Sequence, residues 1–212
     1  MDKQKKKVGL GVTGIVLGIV VSIIFCFTLV ILSGILLINL AENEQIEIHT
    51  DISEYEYYMT GENAKENFKV KLGMDESIFP KRITEDMDVQ DYKMIYYNPW
   101  DAQYLGYLEV AYDKDTYLQE VERLKDYEST DYMNIYGITG FPDDLTLMAI
   151  NAEDSGIIYA LSDNEDTIIY VEMIYCNYFM DLDYKEYIPD EYLPIGFDAT
   201  SGNDYRIKKL KD

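Results

Sequence analysis

Histidine, cysteine and tryptophan are scarce in this chain of 212 residues, which has one, two and one of them. A lone His49 removes histidine-rich metal sites and most schemes that need a histidine general base. Cys26 lies inside an apolar run and Cys176 far along a polar one, so a disulfide scaffold and a cysteine zinc site are both excluded. No metal and no cofactor is expected. Basic residues are also few, 18 against 40 acids. Phosphate binding needs clusters of Lys and Arg that release counterions, so nucleic acid is excluded as a partner. An Asn-x-Ser/Thr sequon is missing altogether. With a single cysteine in the part expected outside the cell, that absence points to a bacterial surface protein.

What is present is divided sharply. Four of the 18 basic residues and one of the 40 acids lie in residues 1–41, which leaves 14 and 39 in residues 42–212, a net charge of −25. From Val8 to Ala41 no residue is charged, a run of 34. As a helix it would extend about 50 Å, where a span needs roughly 20 residues. Lys3, Lys5, Lys6 and Lys7 precede it and no Lys or Arg follows until Lys65. This asymmetry predicts a single-pass cell-membrane protein with residues 1–7 in the cytoplasm and the acidic part outside. A cleaved signal peptide is the competing reading. Its apolar core would be 7–15 residues, less than half of what is seen, and Asn39-Leu40-Ala41 puts Asn where the cleavage motif wants a small apolar residue. Within the anchor, Gly14, Gly18, Ser22 and Cys26 recur every four residues and would share one helix face, where another copy or a different membrane protein could pack. The plainer explanation is that glycine is simply common in membrane helices.

Residues 42–60 are acidic and without period, and predict a stalk leading into a domain over 61–205. A short helix is expected near 62–72, ending at Gly73. Strands are predicted at Tyr92–Tyr97, at Leu105–Tyr112 and near 145–150, 156–161 and 167–176. Asn98-Pro99-Trp100-Asp101 reads as the first turn, and Ser162–Asp166 as a hairpin loop. Thr116 and Gln119 resemble a capping box opening a helix to about Tyr127, with Tyr117, Val121 and Leu124 on one stripe. In the last strand Ile169, Val171, Met173 and Tyr175 alternate with Tyr170 and Glu172, which predicts one buried face and one wet face. The expected fold is α+β: a mainly antiparallel sheet with a helix packed on one face. A basic tail follows at 206–212, with Arg206, Lys208, Lys209 and Lys211. It reads as a frayed terminus, or as a segment that folds back on the acidic surface or reaches anionic wall or lipid.

All 21 tyrosines lie beyond residue 54, among the acids. Tyrosine with aspartate is the composition of surfaces that stack and hydrogen-bond. The best local group is Tyr96, Tyr97, Trp100, Asp101, Tyr104 and Tyr107 around the first turn, with Trp100, Asp101, Tyr96 and Tyr104 as the candidate ligand contacts. It would offer a platform and a hydroxyl acceptor for a ligand, or merely cap and brace the sheet. A glycosidase needs two carboxylates at a set separation, one with a raised pKa, and among so many acids nothing in the sequence selects a pair. The Asp113-Lys114-Asp115 start of a calcium loop fails, because Leu118 and Leu124 stand where glycine and glutamate are required. Asp163, Glu165 and Asp166 read as a solvated acidic turn. The sequence therefore predicts a membrane-anchored, non-enzymatic protein-interaction or accessory module outside the cell. A glycan- or wall-binding module built on the Trp100 turn is the alternative, and an envelope hydrolase with a carboxylate pair the second.

Overall fold

The computed structural model describes residues 20–34 and 45–211. The chain divides into two compact units, Met1–Gln45 and Ile46–Asp212. In the first, residues 20–34 are helical (α1). Among the described residues no helix is long and apolar enough to cross a membrane. Of the expected span, α1 is the described part, and its large apolar side chains from Val20 to Leu32 are exposed. Gly14 and Gly18 lie outside the described residues, and Ser22 lies on α1.

The second unit is a mixed α+β fold around one six-stranded antiparallel sheet. Its strands are β1 (Glu47–His49), β2 (Met87–Tyr97), β3 (Gln103–Tyr112), β4 (Thr146–Glu153), β5 (Gly156–Ser162) and β6 (Thr167–Ile174), in the order β1-β2-β3-β6-β5-β4. Hairpins join β2 to β3, β4 to β5 and β5 to β6, as short polar turns between β-rich runs dictate. Asp154-Ser155 closes the β4–β5 hairpin. Gly156 follows at φ +123°, where a Cβ would stand 2.0 Å from the Met173 carbonyl oxygen. Only glycine fits there.

Both faces of the sheet are buried, and this corrects the expectation of a wet face. One face carries Tyr92, Met94, Tyr96, Leu108, Val110 and Tyr170 against Tyr55, Phe68, Phe79 and helix α3 (Lys114–Lys125). The other carries Ile95, Leu105, Ile169, Val171 and Met173 against Tyr136, Ile138 and the C-terminal loops with Leu182, Ile188 and Phe197. The physical reason lies in β6: on the side expected to be wet, Ile168, Tyr170 and Ile174 flank Glu172, so three of four side chains there demand cover.

The segment read as a stalk joins the domain. Residues 47–49 form β1 on the edge of the sheet, and the turn of helix α2 (Tyr55–Tyr58) buries Tyr55 and Tyr58. The helix expected near 62–72 is replaced by two 3-10 turns, Glu66–Phe68 and Lys71–Gly73. Helix α3 begins earlier than predicted because Asp113, not Thr116, is its cap. The Asp113 carboxylate accepts from the Asp115 and Thr116 backbone N–H groups, and Thr116 donates its own hydroxyl to that carboxylate. Its inward stripe is as read, with Tyr117 and Leu124 buried. The tail also differs from a frayed end: Asp204–Lys209 form helix α4, capped by Asn203.

Tyrosine is mainly a core residue here. Thirteen of the 21 tyrosines are buried, so their abundance does not mark a binding surface. Their hydroxyls instead tie irregular chain to the sheet: Tyr55 donates to the Pro80 carbonyl at 2.7 Å, Tyr104 to Asn67 at 2.5 Å and Tyr159 to Tyr192 at 2.8 Å.

Candidate functional site

Two places concentrate polar or exposed groups in a way the fold does not demand. The first is inside. Lys71 has no exposed side-chain surface, and its ammonium lies between the carboxyls of Glu76 and Glu172, 2.6 Å from the latter. Glu172 projects from β6, while Lys71 and Glu76 come from the loop that crosses that face of the sheet. Three successive left-handed residues, Lys71 at φ +35°, Leu72 at +58° and Gly73 at +80°, turn the lysine inward. For the two that are not glycine this conformation costs about 1–2 kcal/mol each, and burying the pair of oppositely charged groups holds it in place. The Lys71 ammonium also sits 5.6 and 5.7 Å from the ring centres of Phe68 and Tyr104.

The two carboxyls are shifted in opposite directions. Burial, reinforced by the neighbouring Glu76, pushes Glu172 well above the usual carboxyl range although Lys71 opposes it. Glu76 is buried too, but Lys71 and hydrogen bonds from Glu172, Lys71 and the Thr60 backbone N–H hold it below that range. The knot is thus one ammonium between two buried carboxyls whose proton affinities are driven in opposite directions. The sequence reading missed it. The signal was there as a single charge on an otherwise apolar strand face, since Glu172 stands between Tyr170 and Ile174.

A pocket of about 440 Å³ opens above this knot, lined by Thr60, Gly61, Asn63, Asp75, Glu76 and Phe79 among others. Only Glu76 reaches it, with 3% of its side chain exposed, and Glu172 and Lys71 are fully covered. A substrate in the pocket would meet one edge of one carboxylate. The arrangement braces the loop and does not present an acid and a base to a ligand.

The second place is the β2–β3 turn. Trp100 is 83% exposed, an unusual position for the largest apolar side chain. Asp101 accepts from the Asn177 side-chain amide at 2.7 Å. Tyr96 and Tyr104, expected beside them, are register partners one strand apart with ring centres 5.4 Å from each other, and both are buried in the face with Phe68. Trp100 and Asp101 therefore share a turn, and the two tyrosines form the floor beneath its strands. The Asp163 loop is a turn device: its Oδ1 accepts from the backbone N–H groups of Glu165, Asp166 and Thr167. Among the described residues no cluster of His, Cys, Asp and Glu could hold a metal ion.

The register places the Trp100 turn in the molecule. Glu47 pairs with Tyr96, Tyr96 with Tyr104, Tyr104 with Ile174, Ile174 with Gly156 and Gly156 with Glu153. This row crosses the whole sheet at one end. The chain enters the sheet at that end, and the Trp100 turn, the Asp154 turn and the Asn177 loop lie there too. The opposite end gathers the turns that carry Asp86, Asp113, Asp115, Asp163, Glu165 and Asp166.

Comparisons with known protein families, curated proteins and solved structures find no match to this chain.

Proposed function

We propose that this is a single-pass, membrane-anchored protein whose extracytoplasmic α+β domain is a non-enzymatic interaction module, and that Trp100 is its contact for a protein in the same membrane. The anchor rests on the uncharged run 8–41 with lysines before it, and it is supported by the exposure of the apolar side chains of α1. The observation that carries the partner reading is the 83% exposure of Trp100 on a turn braced by Asp101 and Asn177, at the end where the chain enters the sheet. A rigidly held aromatic is the usual centre of a protein contact, and its removal costs 2 kcal/mol or more, about thirtyfold in affinity. A glycan platform would need further exposed rings around a concavity, and Tyr96 and Tyr104 are turned into the core.

The test is a photo-reactive residue placed at Tyr97 in the full chain in its own membrane. The expected result is a covalent adduct with one membrane protein that disappears when Trp100→Ala is added. An adduct that ignores Trp100→Ala, or none at all, overturns the reading. Retention of the full chain on cell-wall glycan, lost in Trp100→Ala, would put the glycan alternative in its place.

A further inference from the structure

We infer that Lys71 and Glu172 condense into an internal amide, Lys71 Nζ to Glu172 Cδ with loss of one water, and that Glu76 carries the protons this step requires. The inference concerns the folded domain alone and depends neither on the anchor nor on Trp100. Lys71 is the one buried lysine among the described residues. Its Nζ lies 2.6 Å from Glu172 Oε1 and is in direct contact with Glu76 Oε1. A nitrogen that close to a carboxyl oxygen is also about 3–3.5 Å from the carboxyl carbon, the separation from which such an attack starts. Solvent is kept out, since the side chains of Lys71 and Glu172 have no exposed surface and the rings of Phe68 and Tyr104 lie beside the ammonium.

Three properties of the knot favour the amide over the ion pair. Each buried charge has given up its hydration, and a neutral amide removes that cost. Condensation in solution is opposed by the surrounding water and by the entropy of bringing two groups together. Here water is excluded, and well-oriented groups on one chain act at effective molarities that reach about 10⁵–10⁸ M. Finally, Glu172 Oε2 is buried and receives no hydrogen bond from an amide, hydroxyl or ammonium group among the described residues. The oxygen to be lost is therefore the one the fold holds least, and the carboxyl that can bring it a proton is its hydrogen-bonded neighbour Glu76.

The protons balance within the knot. Counted from the charged forms, the ammonium holds three. One passes through Glu76 to Glu172, which leaves a free amine facing a neutral carboxyl. The amine's electron pair then forms the bond to Cδ. A second proton travels from the nitrogen through Glu76 to the Glu172 hydroxyl, the Cδ–O bond breaks, and that oxygen leaves as water. The third proton stays on the amide nitrogen, and Glu76 ends as it began. No oxidant, reductant or co-reactant enters. Burial disfavours the ammonium of Lys71, but Glu172 and Glu76 more than offset this and hold it above its ordinary range, whereas burial pushes Glu172 towards the neutral form that is attacked. The free amine is thus the rarer form, and the reaction is a slow maturation of the folded chain. The pocket of about 440 Å³ at Glu76 gives the water a short way out. The bond joins residues 101 positions apart, so it closes a ring that holds β2, β3, β4 and β5 and fastens the Lys71 loop to β6. Until it forms, Glu172 titrates as a buried carboxyl; afterwards neither partner carries charge.

The test is the intact mass of the full chain in detergent, followed over days at neutral pH after purification. The expected result is a species lighter than its sequence by one water. Digestion should then give one branched peptide that joins the Lys71 and Glu172 segments, with trypsin no longer cutting after Lys71. On a denaturing gel the joined chain should run ahead of the unjoined one. Protein held unfolded in urea should keep its full mass and lose the water only after refolding. Glu76→Gln should slow the loss by about a hundredfold or more, the usual share of a positioned proton carrier, and Lys71→Arg should abolish it. A parent chain that melts cooperatively yet keeps the full mass of its sequence overturns the inference, as does a water loss that maps to other residues. A folded Glu76→Gln chain that joins at the parent's rate overturns the part given to Glu76. Should either variant fail to fold, the parent's mass and its branched peptide still decide.

Discussion

Lys71, Glu76 and Glu172 meet where an apolar core would have sufficed, and their energetics depend on which member is changed. Removing the lysine alone strands a buried carboxylate, at about 3–5 kcal/mol. For a domain of this size, Lys71→Met should lower the melting temperature by roughly 6–20 °C in a calorimetric scan of the full chain in detergent. Glu172→Gln should behave differently, because burial beside Glu76 already disfavours the charged form of this carboxyl and the amide carries no charge. The folded carboxyl of Glu172 titrates well above its ordinary value of 4.5. Its contribution is therefore complete below that value and is lost as pH rises through the folded one. Unfolding at a series of pH values should show Glu172→Gln gaining on the parent protein from pH 5 towards pH 8. A parent that keeps pace across that range would mean that Glu172 is ionised in the fold. Tyr92 is buried beside these groups, and its hydroxyl has no hydrogen-bond partner among the described residues. Tyr92→Phe should accordingly cost little.

Elements and their boundaries separate what could be read from sequence from what could not. The strands β2, β3, β5 and β6 were legible because β-branched and aromatic residues alternate between clear turn signals, and the inward stripe of α3 was legible from its period. The second covering layer was not. It is made of loops between Tyr132 and Leu193 that carry no period, and they are held by single long-range contacts such as Tyr159 to the Tyr192 carbonyl. The candidate site was legible only in Trp100 and Asp101, since a two-residue alternation says which side Tyr96 faces but not that loops cover that side. Capping gives a direct test at this scale. Asp113→Ala removes the acceptor for two N–H groups of α3 and should cost about 0.5–2 kcal/mol. Thr116→Ala leaves that acceptor in place and should cost less. Gly156→Ala must displace the backbone carbonyl of Met173 where β5 enters its ladder with β6, so it should exceed both in chemical denaturation.

At the scale of the whole molecule, acid should act through two groups that oppose the trend at Glu172. His49 packs flat on Tyr58, ring centres 3.9 Å apart, and burial lowers its pKa below 6.5 although Glu47 opposes this. A base whose folded pKa is depressed contributes fully above 6.5, and that contribution is lost as pH falls through the lower folded value. Glu76, held below 4.5, adds a loss at lower pH still. His49→Phe should keep the stacking and flatten the pH dependence of stability between about pH 6.5 and 5. An unchanged slope would show that His49 takes up its proton without cost in the fold.

The three-residue strand β1 has a mechanical consequence. It is the first part of the sheet that the chain reaches, and its bonds to β2 run perpendicular to the strand. A pull along the strand axis from the side of Ile46 therefore shears these bonds together and does not peel them one at a time. Because β1 is so short, its release would give slack of only a few residues before the load reached Tyr55 and Tyr58 in the core. Tension arriving through the preceding chain would meet a small sacrificial clasp first and the folded domain second.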